Sequence, residues 1–335
     1  MTIDVHAHCI PETVMETLSQ DGERFGIQII GDGDRRQAVV AGRVTTGPLR
    51  GDLVDLDHRL ATMDRSGVDM QMISSWIDLT AYALTPDEGS RFSRMYNEGL
   101  AGTVAEHPDR FLALSTVPLQ TPAVAAAELR FAVGELGMAG VEIAATVDGA
   151  ELDDRDLDPF WKAAADLRCL VLIHPYNPLA GRNVKRYFLG NAVGRPAETS
   201  IGVAHMVMGG VFERYPDLQV CVVHGGGFLP YQAGRLDRAY HAKPGLAAAN
   251  LSRPPSDWLK GLFYDTVTHS PEVLAFLIEF AGIENVLLGT DFPFEMGDDD
   301  PVATVRAIPG LTESDRNLIL SGNITRLLEG IRRAG

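Results

Sequence analysis

Thr2-Ile3-Asp4-Val5-His6-Ala7-His8 opens the chain as a short, β-branched apolar run that ends on two histidines spaced two apart. At strand spacing both imidazoles face one side. Similar runs recur at residues 68–74, 111–117, 140–144, 169–174, 218–224, 262–267 and 285–291, which makes eight candidate strands with the first. Helical stretches such as 123–136 and 271–281 separate most of them. Strand alternating with helix predicts a parallel sheet, and eight repeats predict closure into a (β/α)8 TIM barrel. All 335 residues read as one domain. The first strand-to-helix connection is long, about residues 10–50. In it, 25–30 and 37–44 flank Gly31-Asp32-Gly33-Asp34 and read as a β-hairpin insertion, too small for a core of its own. A second long connection, 175–195, follows the fifth run. Loops after barrel strands form the active face, so both connections should cover it.

Composition narrows the function. Hydrophobic residues are 45% and charged residues 22%, enough for a large core. No segment approaches the roughly 20 apolar residues that span a bilayer, so no membrane partner is expected. The start shows no basic leader. Three cysteines at irregular spacing argue against a disulfide framework and for a cytoplasmic protein. A formal charge of −16 disfavours nucleic acid as a partner. It also repels anions at long range, so an acid-binding pocket needs local arginines.

The chemistry sits at strand ends. His174 ends the fifth run, His224 the sixth and Asp291 the eighth. In a barrel these carboxyl ends converge on the axis, where they would meet His6 and His8. Imidazole nitrogen and carboxylate oxygen suit a borderline divalent cation such as zinc. Singly, each residue has an ordinary structural explanation: a strand-end histidine is commonly hydrogen-bonded, and Asp291 could cap a turn. Their joint recurrence at strand ends predicts a metal site. Trp76, Tyr176, His269, Phe292 and Phe294 follow strands on the same face and suit the walls of a pocket for a flat, conjugated substrate, or pack under loops. His205 falls on a helix and reads as structural. Cys9 is turned away from His8 by strand alternation and reads as packing.

Seven segments carry a family resemblance: Ile3-Asp4-Val5-His6-Ala7-His8, Met63-Asp64-Arg65-Ser66-Gly67-Val68-Asp69, His174-Pro175, Pro196-Ala197-Glu198-Thr199, Val223-His224-Gly225-Gly226-Gly227, Leu288-Gly289-Thr290-Asp291-Phe292-Pro293-Phe294 and Ser321-Gly322-Asn323. Nearly end to end, the chain resembles the amidohydrolase superfamily, in its aminocarboxymuconate-semialdehyde decarboxylase-like branch. The resemblance implies that His6, His8, His174 and Asp291 hold one divalent ion with a water. The ion is usually zinc, with manganese as the alternative. His224 would be the general base beside that water. Binuclear members carry a lysine on the fourth strand, and Gly140-Val141-Glu142-Ile143-Ala144 has none, which favours one ion. Glu142 could bridge a second ion; the preferred reading is a strand-end carboxyl hydrogen-bonded to a neighbour.

Arg235, in Gly234-Arg235-Leu236-Asp237, is similar to an arginine that reaches the partner subunit's site, which implies a homodimer. Arg50 resembles the family's other substrate arginine, although the loop between it and Asp64 differs in length. His269 stands where the aminocarboxymuconate enzyme has a hydrophobic residue, which argues against an identical substrate. The expected activity is nonoxidative decarboxylation of a conjugated or aromatic carboxylic acid, with a metal-bound water activated by His224. A hydrolase or hydratase with the same ligands is the alternative. A catalytically silent ligand-binding barrel is a third reading.

Overall fold

Residues 1–45, 48–176 and 183–334 are described by the computed structural model. Eleven strands occur among them: β1 (Ile3–His8), β2 (Ile27–Ile30), β3 (Gln37–Val40), β4 (Arg43–Val44), β5 (Met70–Ser74), β6 (Phe111–Ser115), β7 (Gly140–Ala144), β8 (Leu170–His174), β9 (Gln219–Val222), β10 (Phe263–Asp265) and β11 (Val286–Leu287). β1 and β5 to β11 form one eight-stranded sheet in chain order, with every ladder parallel. A parallel bridge between Ala7 and Phe292 joins its two edges. The bond from Asp291 N to His6 O, 2.8 Å, adds to it. The expected (β/α)8 barrel is present, with each predicted run containing its strand.

Helices cover the outer face. Pro122–Gly134 and Pro271–Ala281 fall on the two predicted stretches, and both carry proline in the first turn, where its missing N–H costs no helical bond. Ser270 caps the second by accepting from Val273 N at 3.3 Å. Alternation divides the strand side chains into two apolar clusters. Val171, Ile173, Val220 and Val222 join the layer against the helices. Ile3, Val5, Leu170, Leu172, Cys221 and Val223 fill the barrel interior, together with Ile324, Leu327 and Ile331 of the last helix (Asn323–Ala334). No described helix is long and apolar enough to cross a membrane.

The insertion differs from expectation. β2 and β3 pair antiparallel from Ile27↔Val40 to Ile30↔Gln37, as predicted. Residues 37–44 are not one strand, however. Ala41 and Gly42 both adopt left-handed φ, 46° and 81°, and turn the chain so that β4 pairs back on β3. The hairpin is therefore a three-stranded sheet. Left-handed φ at both central residues is what a two-residue hairpin turn demands. The connection after β8 includes residues 177–182, which lie outside the described residues.

Candidate metal centre

Ile3 and Val5 point into the barrel, so uninterrupted alternation would turn His6 and His8 outward. A register shift against β5 between Asp4 and Ala7 resets it, and the extra residue re-aims both imidazoles inward. His224 needs a similar correction, because Val222 faces the helices and Val223 the interior. Its φ of 54° breaks the pattern and brings the ring to the axis. His269 and Asp291 share this conformation, at 56° and 58°. Left-handed backbone costs a non-glycine residue about 1–2 kcal/mol, and three such residues collect at the carboxyl mouth. Strain clustered in this way is characteristic of functional sites.

The side chains of His6, His8, His174 and Asp291 are buried and place one ligand atom each within 4.8 Å of the others. Asp291 Oδ1 lies 3.4 Å from His6 Nε2, 3.2 Å from His8 Nε2 and 3.9 Å from His174 Nε2. All four of these atoms are buried and lack a hydrogen-bond partner among the described residues. Unpaired buried polar atoms are costly. Four of them converging on one point fit a single divalent cation.

The opposite ring nitrogens explain the orientation. His8 Nδ1 donates to Ser75 O at 3.0 Å and His174 Nδ1 to Pro175 O at 2.8 Å. A carbonyl can only accept, so the proton sits on Nδ1 and leaves Nε2 as the donor to a metal. His6 Nδ1 faces Asp265 Oδ2 at 2.8 Å. Asp265 is fixed in turn by the amide of Gly225, 2.8 Å from Oδ1. Gly225 has a φ of 59°, and a Cβ there would come within 2.6 Å of Thr268. The first glycine of His-Gly-Gly-Gly thus orients His6 through Asp265. Beneath β1, Asp4 accepts from Thr290 Oγ1 at 2.6 Å and Gln71 Nε2 at 2.8 Å, tying the first strand to the loop that carries Asp291.

Electrostatics follow from this crowding. Burial opposes charge on His6, but the carboxylates of Asp291 and Asp265 outweigh it and push its pKa up to about 9. Burial also opposes the Asp291 carboxylate, yet His6 and the other facing imidazoles hold it well below its ordinary range. His174 is held well below the usual histidine value, first by burial and then by neighbouring imidazoles. A cation held by the cluster would take the place of the His6 proton as the positive partner of Asp291.

The remaining predicted residues divide. His224 Nε2 faces Asp291 Oδ2 at 3.3 Å, beside the four ligand atoms, and its Nδ1 is buried without a hydrogen-bond partner among the described residues. Trp76, Phe294 and Arg50 line a cavity of ≈ 360 Å³ that opens on His174, His224 and Asp291. His269 lines an adjoining cavity of ≈ 210 Å³. Phe292 turns away, its ring under the Arg59 guanidinium at 4.8 Å. Tyr176 packs against the outer core and lines neither cavity. Arg235 lies in an apolar groove between helices Arg195–Met208 and Leu229–Ala242, outside its own chain's metal pocket. His205 pairs with Asp153 at 3.1 Å, away from the cluster.

Glu142 is buried in the interior, with Oε2 3.6 Å from His8 Nδ1 and burial pushing its carboxyl pKa up. Neither oxygen meets strict hydrogen-bond geometry among the described residues, but His8 and, as its hydrogen-bonding neighbour, Ser74 oppose that rise. Glu142 also stands apart from the four converging ligand atoms. Sequence reasoning missed Asp265 and Arg195. Asp265 carried a weaker signal than Asp291, an acid inside the apolar run 262–267 and not at its end.

Fold and donor set define a barrel metalloenzyme. The family model described as Amidohydrolase matches residues 3–330, and the chain belongs to that family. It is 30% identical over 332 residues to 2-amino-3-carboxymuconate-6-semialdehyde decarboxylase of Dictyostelium discoideum, covering 98% of this chain and 91% of the relative. The crystal structure of 5-carboxyvanillate decarboxylase from Sphingomonas paucimobilis superposes with a TM-score of 0.84 at 26% identity, covering 98% of each chain. A 2-keto-4-carboxy-3-hexenedioate hydratase of Sphingobium sp. is 27% identical over 297 residues, 81% of each chain.

Proposed function

We propose that this chain is a metal-dependent, nonoxidative decarboxylase of a conjugated or aromatic carboxylic acid. One observation carries the reading: four unpaired ligand atoms converge at the barrel mouth with His224 immediately beside them. The decarboxylase relatives support the reaction class. His6, His8, His174 and Asp291 would hold the ion, and three imidazoles with one carboxylate suit zinc, manganese being the alternative. When bound, the ion supplies a Lewis acid and brings the pKa of a coordinated water toward neutrality. His224 takes up and returns the proton, its ring steered by Asp291 Oδ2. The proton goes to the substrate carbon bearing the carboxylate. That C–C bond then breaks, CO2 leaves, and its electron pair restores the conjugated system. Trp76 and Phe294 offer apolar walls to a planar substrate.

Three further assignments complete the reading. A homodimer would bury the groove around Arg235 and the exposed Ile201 and Phe228, and carry Arg235 toward the partner's site. Arg50 contacts the acid only by exchanging Glu295, now 2.6 Å from its Nη1. The three free, buried cysteines suit a reducing cytoplasm. The hydratase relative favours a second reading, water addition to an alkene at the same four ligands. Turnover of a panel of unsaturated and hydroxybenzoic acids by metal-loaded protein in D2O separates them. Decarboxylation releases CO2 and leaves one deuterium on the carbon that carried it. A hydrated product with no CO2 would overturn the proposal.

A further inference from the structure

The helix that follows β8 begins with Arg195, and we infer that this guanidinium recognises a second anionic group of the substrate, making the enzyme selective for diacids. The inference rests on the decarboxylase reading for the carboxylate that leaves. Arg195 borders both the ≈ 360 Å³ cavity over His174 and Asp291 and the ≈ 210 Å³ cavity beside it. Asn191 and His224 also line both, so the two spaces adjoin along these three residues. The smaller one is also lined by Thr268 and His269. An acid whose reacting carbon lies against His224 can therefore direct its far end to Arg195.

The charge there is only loosely paired. Arg195 Nη1 donates to Pro175 O at 2.9 Å, and its one carboxylate partner among the described residues, the buried Asp78, pairs loosely, Oδ1 standing 3.9 Å from Nη2. Arg50 differs: Glu295 Oε1 stands at 2.6 Å and Asp52 Oδ2 at 3.0 Å, so two carboxylates already hold it. The Arg195 side chain is only 17% exposed, which strengthens a charge-assisted bond relative to a surface pair. With a formal charge of −16 over the chain, an anion entering the mouth depends on such a local cation.

Arg195 also has a structural contact, since Pro175 O accepts from His174 Nδ1 as well. The test separates the two roles by direct binding. Metal-loaded protein is titrated calorimetrically with benzoate and with isophthalate, a planar monoacid and a planar diacid. Wild type is expected to bind isophthalate about tenfold or more tightly than benzoate, the gain of one bidentate pair. Arg195→Met should abolish that preference, change benzoate affinity by less than about twofold and keep its metal. Equal binding of the two acids by wild type overturns the inference. So does an Arg195→Met variant that keeps the preference, or one that loses metal and weakens both acids alike. Should the Met variant fail to fold, Arg195→Lys decides. A preference several-fold below wild type supports the planar fork, and an undiminished one overturns it. Absence of CO2 release from any acid would sink the decarboxylase reading while leaving this binding comparison intact.

Discussion

Leu172 and His174 stand two residues apart on the inner face of β8, and they belong to different halves of the molecule. Leu172 packs in an apolar plug with Val5, Val223 and Ile324. His174 joins buried groups whose polar atoms lack partners, next to three residues with left-handed backbone. One end of the barrel is filled by apolar side chains, and the other collects unpaired polar atoms and left-handed backbone. Burial at the first end holds the polar and strained groups of the second in place. Stability and chemistry are thereby separated along the strands.

The sharpest way to break this comparison is to truncate both residues. His174→Ala should fold and yet lose turnover by about a thousandfold or more, since a catalytic ion contributes several kcal/mol. Leu172→Ala should lose about 2–5 kcal/mol of stability while keeping near-normal turnover per folded molecule. Thermal melts beside kcat measurements check both. If Leu172→Ala abolishes turnover at full stability, the two ends are not separate.

His224→Ala comes next. Its ring lies outside the four-ligand set, so metal should stay while kcat falls about a hundredfold, in keeping with loss of a general base. Metal loss in this variant would make His224 a ligand.

How far the two ends were legible in the sequence differs too. The plug-forming strands announce themselves as apolar runs, because strands buried on both faces have no polar side to interrupt them. β11 is the limiting case. Only Val286 and Leu287 make ladder pairs within the predicted 285–291 run. Toward β1 the segment is held by isolated bonds, Val5 N to Leu288 O at 2.9 Å and Asp291 N to His6 O at 2.8 Å, and it turns at Asp291. At the other mouth the strand-end histidines were visible, but their inward aim was not. It depends on the β1 register shift and on φ at His224, neither of which leaves a mark in the residue pattern. Asp265 and Asp291 both stand in predicted runs, the first inside 262–267 and the second at the end of 285–291. Only the placement of His6 between them makes one face its Nδ1 and the other its Nε2. The break in the insertion had a signal, Gly42, that strand patterning over 37–44 overrode.

Two smaller effects sharpen the account of the polar end. Asp265→Asn removes the charge behind His6 and should weaken metal affinity about 10–100-fold with little change in fold, as outer-shell carboxylate losses do. Competition against a calibrated chelator reads it. The same assay against pH tests the proton on His6. Its pKa is raised to about 9, so the proton is present below that pH and must leave before Nε2 can ligate. Apparent affinity should rise about tenfold per pH unit toward 9 and flatten above it. His174 and Asp291 are shifted down and are already ligand-ready at neutral pH, so they add no slope there.

Metal stoichiometry tests the central claim most directly. After saturation with zinc or manganese and gel filtration, elemental analysis should find about one ion per chain in wild type and in His224→Ala. It should find almost none in His6→Ala, His174→Ala or Asp291→Ala, each of which remains folded. Full occupancy in all three ligand variants would contradict the assignment of these side chains as the metal site.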